Sequence, residues 1–290
     1  MTVDGWDGRG LPPAARARIA RAVPDGVTTS LLSSAGAAGL AVAGFDVVGE
    51  VLGTTVLQIG WAGYGGCGWN GGPLGPGTMV SSAARWYGNT PYVSALRKGR
   101  DTAMSRMTQE AAALGADGVV EVRLTDERVE DGKREFMALG TAVRSRGGVH
   151  PGRPFTTDLG GQDVAKLLSA GWVPAGLTYG ISVAVRHDDW RTQSQIAPFA
   201  GNTEVAGSTE LLTRVRAGAR REFAGQAARI GGDSALASSI RSHMWRLDVG
   251  ENHHDNVAEC VIVGNVIARF HPGRRPTTKS LTILPLRSAR

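Results

Sequence analysis

Two periods of apolar and polar positions follow one another along this chain, and the same succession occurs twice. Residues 47–59 are apolar and β-branched and predict a strand, as do residues 173–186. Short helical stretches, 32–43 and 161–170, lead into them. Residues 91–114 carry the clearest helical period: Leu96, Ala103, Met107, Ala111 and Leu114 fall on one face. Thr90 stands at the cap position, Pro91 suits the first turn, and Gly115 suits the stop. A second helix is expected over 208–230, starting at Ser208 and ending at Gly231. It presents Leu211, Val215, Ala219, Phe223 and Ile230, with an Arg-rich face left to solvent. Each helix is followed by a hairpin. In the first, VVEVRLTDERVE and KREFMALGTAVR flank Asp131-Gly132, a dipeptide suited to the tight turns that match strand twist. In the second, residues 235–248 and 256–270 flank the longer loop GENHHDN.

Direct comparison of the two halves supports duplication. An AG(F/W)…G…G frame pairs Gly44 with Gly171, Phe45 with Trp172, Gly49 with Gly176 and Gly53 with Gly180. Along the long helices Leu96 matches Leu212, Ala103 matches Ala219 and Met107 matches Phe223, and LGAD then matches IGGD. Finally EFMALGTAV matches ECVIVGNVI. The expected organisation is an extension over 1–29, domains over 30–147 and 155–270, and a basic tail over 271–290. Each domain reads as α+β, a β-α-β-β unit with one long helix on an antiparallel sheet. The returning strands are apolar on both faces, so the face away from the helix must be covered by another repeat or another subunit.

Composition narrows the class. The 290 residues are 42% hydrophobic and 20% charged, as in an ordinary globular protein. No stretch approaches the roughly 20 apolar residues of a membrane helix, and Asp4, Asp7 and Asp25 interrupt the start, so the expected location is the cytoplasm. Cys67 and Cys260 are the two cysteines, too few for a disulfide framework or a four-thiolate metal site. The net charge is +6, but Arg274, Arg275, Lys279, Arg287 and Arg290 supply five of those charges from an acid-free tail. The body is nearly neutral, and no nucleic-acid partner is expected.

The segments GEVLGTTV, YVSALRKGRDTAMSRMTQEAAALGADGVVEVRL and EFMALGTAV resemble the YbjQ family of small bacterial proteins, often labelled a heavy-metal-binding domain. The first repeat matches throughout. The second is looser, with Gly264-Asn265-Val266 where the first has Gly140-Thr141-Ala142. The resemblance implies two tandem dodecin-like domains and a homo-oligomeric ring, typically a pentamer, built by joining sheets of adjacent subunits. It implies no enzymatic activity.

Few residues point to chemistry. His253 and His254, flanked by Glu251 and Asp255, form the best local cluster for a divalent transition metal such as zinc. His243 and Cys260 lie on the strands this loop joins and extend the site if the register brings them together. A polar hairpin tip accounts for the same letters. His187, Asp188 and Asp189 beside Trp190 read as a solvated loop, and Cys67 lies in a glycine-rich loop without phosphate-loop grammar. Around that loop, 60–78, aromatic residues including Trp61, Tyr64 and Trp69 suit docking of a protein partner or a neighbouring subunit. Three polar positions recur between the copies: Arg100 with Arg216, Asp117 with Asp233, and Glu135 with Glu259. Recurrence points to structural or interface roles, since no Ser, Cys or His recurs beside them to complete a catalytic set. The leading expectation is a non-enzymatic, ring-forming scaffold or small-ligand-binding protein; the alternative is a divalent-metal binder or sensor.

Overall fold

A computed structural model describes residues 6, 10–22, 29–59, 86–130, 132–148, 150–187, 189–197, 199–248 and 254–270. The elements are α1 (Pro13–Ala22), α2 (Ser34–Val42), β1 (Phe45–Gln58), β2 (Trp86–Tyr87), α3 (Thr90–Ala113), β3 (Gly118–Glu130), β4 (Lys133–Ser145), β5 (Phe155–Thr156), α4 (Gly161–Ser169), β6 (Trp172–His187), α5 (Trp190–Gln195), α6 (Ala206–Ile230), β7 (Ser234–Asp248) and β8 (His254–Arg269). The architecture is α+β. One sheet has the order β1-β4-β3-β5 and the other β2-β6-β8-β7. A strand, a long helix and an antiparallel hairpin thus occur twice, and in each unit the last strand lies between the other two. Even the irregularities match: β1 shifts register between Val47 and Gly49, and β6 between the equivalent Pro174 and Gly176.

Repeated glycines set the helix-to-sheet distance. A Cβ on Gly53 would overlap the backbone of Ala103 and Met107 in α3, and one on Gly180 would overlap Ala219 and Phe223 in α6. Each helix therefore lies directly on the backbone of its first strand. Both helices stop at the expected glycines, Gly115 (φ +71°) and Gly231 (φ +82°), which adopt left-handed conformations that other residues resist. Their starts differ from expectation. Asn89, one residue ahead of Thr90, caps α3 by accepting the Tyr92 amide at 3.0 Å, and α6 begins after Val205 without a side-chain cap.

The apolar second face of the returning strand has a clear destination in the second unit. One cluster joins Val51, Leu96, Met107 and Phe136 of the first unit to Leu177, Ile181, Val183, Val185 and Val257 of the second. Helix α3 is therefore held between the two sheets. On the other face of the second sheet, Leu211, Val215, Ala219 and Phe223 of α6 pack with Ala258, Cys260 and Ile262.

The units also exchange short strands. β2, which leads into α3 of the first unit, pairs with β6. β5, which leads into α4 of the second, runs parallel to β3, and the Glu121 and Val122 amides continue this pairing onto the Leu159 and Thr157 carbonyls. Leu40, Val120, Val143 and Val164 then join α2 and α4 to the outer face of the first sheet. Helix α1, which the sequence pattern did not predict, docks Arg18 on the buried Glu110 at 2.8 Å. Among the described residues, no helix is long and apolar enough to cross a membrane.

Candidate inter-repeat site

The sandwiched position of α3 brings charged groups from both units together at one place. Arg100 projects from α3 toward Asp126 on β3, with which it forms an ion pair. Arg134 on β4 contacts the other oxygen of Asp126 through Nη2 at 3.0 Å. Its Nη1 donates to the Tyr92 hydroxyl at 3.0 Å and lies 3.5 Å from Glu259 on β8. Tyr92 Oη in turn donates to Glu259 Oε2 at 3.3 Å. Four elements from two units thus converge on two carboxylates and two guanidinium groups.

These groups line a cavity of about 450 Å³ that also includes Arg123, Asp158, Arg241 and His243. Burial dominates the electrostatics. It lowers the Arg100 pKa to about 10, partly offset by Glu259, and together with Glu259 it raises the Tyr92 hydroxyl to about 12. Neither group is therefore poised to exchange a proton near neutrality. Two donors, Arg100 Nη1 and Arg134 Nε, are buried without a partner. A larger cleft of about 940 Å³ lies between α3 and β6, with a mixed wall that includes Met104, Phe155, Leu177 and Ile230 and no such orphaned donor.

The recurring residues divide by role. Asp117 accepts the Ser145 amide at 2.7 Å, and Asp233 accepts the equivalent Arg269 amide at 2.7 Å, so each pins the end of its central strand. Asp117 also meets His150 Nδ1 at 2.9 Å. Glu259 enters the inter-repeat network, whereas Glu135 accepts the Thr54 hydroxyl at 2.9 Å. Arg216 reaches Ser242 at 3.3 Å on the exposed side of α6. Arg and Glu of the same copy therefore do not pair.

The histidines and the cysteine are spread out. His243 lies opposite Glu259 across the β7–β8 ladder and stacks on Trp245 at 5.5 Å. Cys260 lies opposite Ser242 and faces α6, so the register places His243 and Cys260 on opposite faces of the sheet. His254 opens β8 opposite Asp248, five residues and about 17 Å along β7 from His243. His253, Glu251, Cys67, Asp188 and the loop over 60–78 lie outside the described residues. Among the described residues, no group of three or more His, Cys, Asp or Glu side chains is placed to hold a metal. The polar group at the end of β6 is bound internally: His187 Nδ1 meets Asp255 at 2.6 Å, and Asp189 caps α5 by accepting the Thr192 amide at 2.8 Å.

Sequence reasoning missed Tyr92, Asp126 and Arg134. None recurs in the second copy, so self-comparison passes over them. The available signal was the density of charge near the end of the first hairpin, in TDERVEDGKRE.

Residues 85–146 match the model of the YbjQ family, whose description reads "Putative heavy-metal-binding". That span covers α3, β3 and β4, the helix and hairpin of the first unit. Short YbjQ-type relatives, named UPF0145 proteins, come from Halorubrum lacusprofundi, at 49% identity over 55 residues, and Natronomonas pharaonis, at 53% over 55 residues. Each match covers 19% of this chain and 53% of the relative. A longer match, 35% identical over 177 residues, is to the encapsulin nanocompartment protein Rv1762c of Mycobacterium tuberculosis, covering 59% of this chain and 60% of that protein. The chain thus spans between half and two thirds of the length of these relatives. The longer match exceeds one YbjQ unit and fits two copies in tandem. None of these three names describes an enzymatic activity.

Proposed function

We propose that this chain is a non-enzymatic, cytoplasmic scaffold that assembles into a closed homo-oligomeric ring, with a small-ligand site in each chain. In this reading residues 30–147 and 155–270 are two dodecin-like domains, and a pentamer is the expected ring. The observation that carries it is the edge of the second sheet. β7 is 15 residues long, has β8 on one side and, among the described residues, no strand on the other, and exposes Leu236 (42%), Ile240 (49%) and Met244 (38%). A long edge with apolar side chains is a template for pairing with another chain. The mycobacterial relative is named for a nanocompartment, which supports self-assembly but not a particular ring. Native mass spectrometry of untagged protein tests the reading. A ring of five chains of 30.3 kDa has a mass of about 150 kDa; a single-chain mass overturns it.

The family description favours a second reading, binding of a divalent metal such as zinc. It rests on His253 and His254; His243 and Cys260 lie on opposite faces of their sheet and do not extend it together. Stoichiometric zinc uptake that disappears in H253A/H254A while assembly persists supports it. Uptake unchanged in that variant excludes this site.

A further inference from the structure

We propose that the cavity between the two units binds a small oxyanionic ligand, a molecule bearing a phosphate or carboxylate group, with Arg100 and Arg134 at its base and Arg123 and Arg241 at its rim. The proposal deepens the ligand-binding part of the reading above. It does not need the ring, because both walls come from one chain.

The argument is a count of donors and acceptors. Asp126 is occupied by Arg100 and by Arg134 Nη2. Glu259 Oε2 accepts from both Tyr92 and Arg134 Nη1. Asp158 accepts Ser238 at 2.9 Å and the Asn265 amide. Arg100 Nη1 and Arg134 Nε then remain buried without an acceptor, and the Arg100 side chain is only 7% exposed. At the rim, Arg123 and Arg241 form no ion pair among the described residues. Both side-chain groups of this lining that are buried without a partner are cationic donors, since a guanidinium has five N–H groups and no acceptor. What completes the site is an acceptor carrying negative charge. The geometry of guanidinium forks matches the paired oxygens of carboxylate and phosphate. A volume of about 450 Å³ exceeds a bare ion and falls within the range of small-molecule pockets.

Asp126 already pairs with the buried Arg100, and a bound anion adds to that compensation. Desolvation lowers the Arg100 pKa, and an anion beside it reverses that trend by favouring the charged form.

Isothermal titration of the full chain at constant ionic strength, with inorganic phosphate in one arm and succinate in the other, tests the proposal. The expected result is saturable binding of at least one of the two at one per chain, and the tighter arm identifies the head group. R123Q/R241Q removes rim charge without breaking an ion pair, and should weaken binding by about tenfold or more with an unchanged melting temperature in the absence of ligand. Arg100→Lys keeps the charge opposite Asp126 but loses the fork, and should weaken binding comparably. Absence of saturable binding in both arms, or binding unaltered in both variants, overturns the proposal. Native masses of the same samples separate it from the scaffold reading: a ring that binds neither anion defeats only this inference, and a monomer that binds one defeats only the ring.

Discussion

Asp117 and Asp233 hold equivalent backbone amides in the two units, at the point where each central strand leaves its sheet. Their surroundings differ: Asp117 is buried, and Asp233 is exposed. A charged hydrogen bond away from water is the stronger one, and its loss leaves a half-buried amide unpaired. Asp117→Ala should therefore cost about 1–3 kcal/mol and Asp233→Ala about 0.5–1.5 kcal/mol, read as shifted midpoints in urea unfolding. Asp255 gives a different signature. Burial raises its pKa from 3.8 to about 6, so the folded state holds a proton that the unfolded state has released. Its contribution to stability is fully present below about pH 4 and is lost as pH rises through about 6. Asp255→Asn should flatten the fall in stability across that window, measured by denaturant unfolding at stepped pH; an unaltered slope assigns the pH dependence to other groups. At this scale the legible residues were those used twice. Asp117 and Asp233 recur in one role, whereas Tyr92 and Arg134 meet Glu259 in a contact between unlike units, which no internal repeat records.

The long elements were readable because each satisfies a period over many residues. α3 and α6 bury the faces their sequences mark, from Leu96 to Ala111 and from Leu211 to Phe223. β2 and β5 were not readable: two residues carry no period, and their pairing is set by a sheet that belongs to the other unit. Glycines on these elements have opposite uses. A Cβ on Gly180 would meet the backbone of α6, whereas one on Gly225, within α6, meets nothing within 4 Å. Gly180→Ala should force the helix off its strand and destabilise by about 1–3 kcal/mol. Gly225→Ala should stabilise by about 0.5–1 kcal/mol, because the folded helix accepts the methyl and the unfolded chain loses freedom. Thermal unfolding of the two variants reads both signs, and equal shifts would mean the helix–strand spacing is not set by that glycine.

At the scale of the whole molecule, the two units are not used alike. The helix of the first is covered by the sheet of the second, while α6 carries its Arg-rich outer face in solvent and β7, among the described residues, has no strand on its far side. The doubly apolar strands predicted this burial, and for β8 the partner proves to be the first unit of the same chain. The long exposed edge of β7 is the one proposed above for contact between chains. A charge placed on such an edge blocks pairing at little cost to the fold, because Lys is readily solvated where Ile240 and Met244 already face water. I240K/M244K should retain the wild-type circular dichroism and melt cooperatively while shifting the native mass toward a single chain. A double variant that still assembles would exclude β7 as the joining edge and move the interface to β1, the opposite edge of the first sheet, where Val56 is exposed.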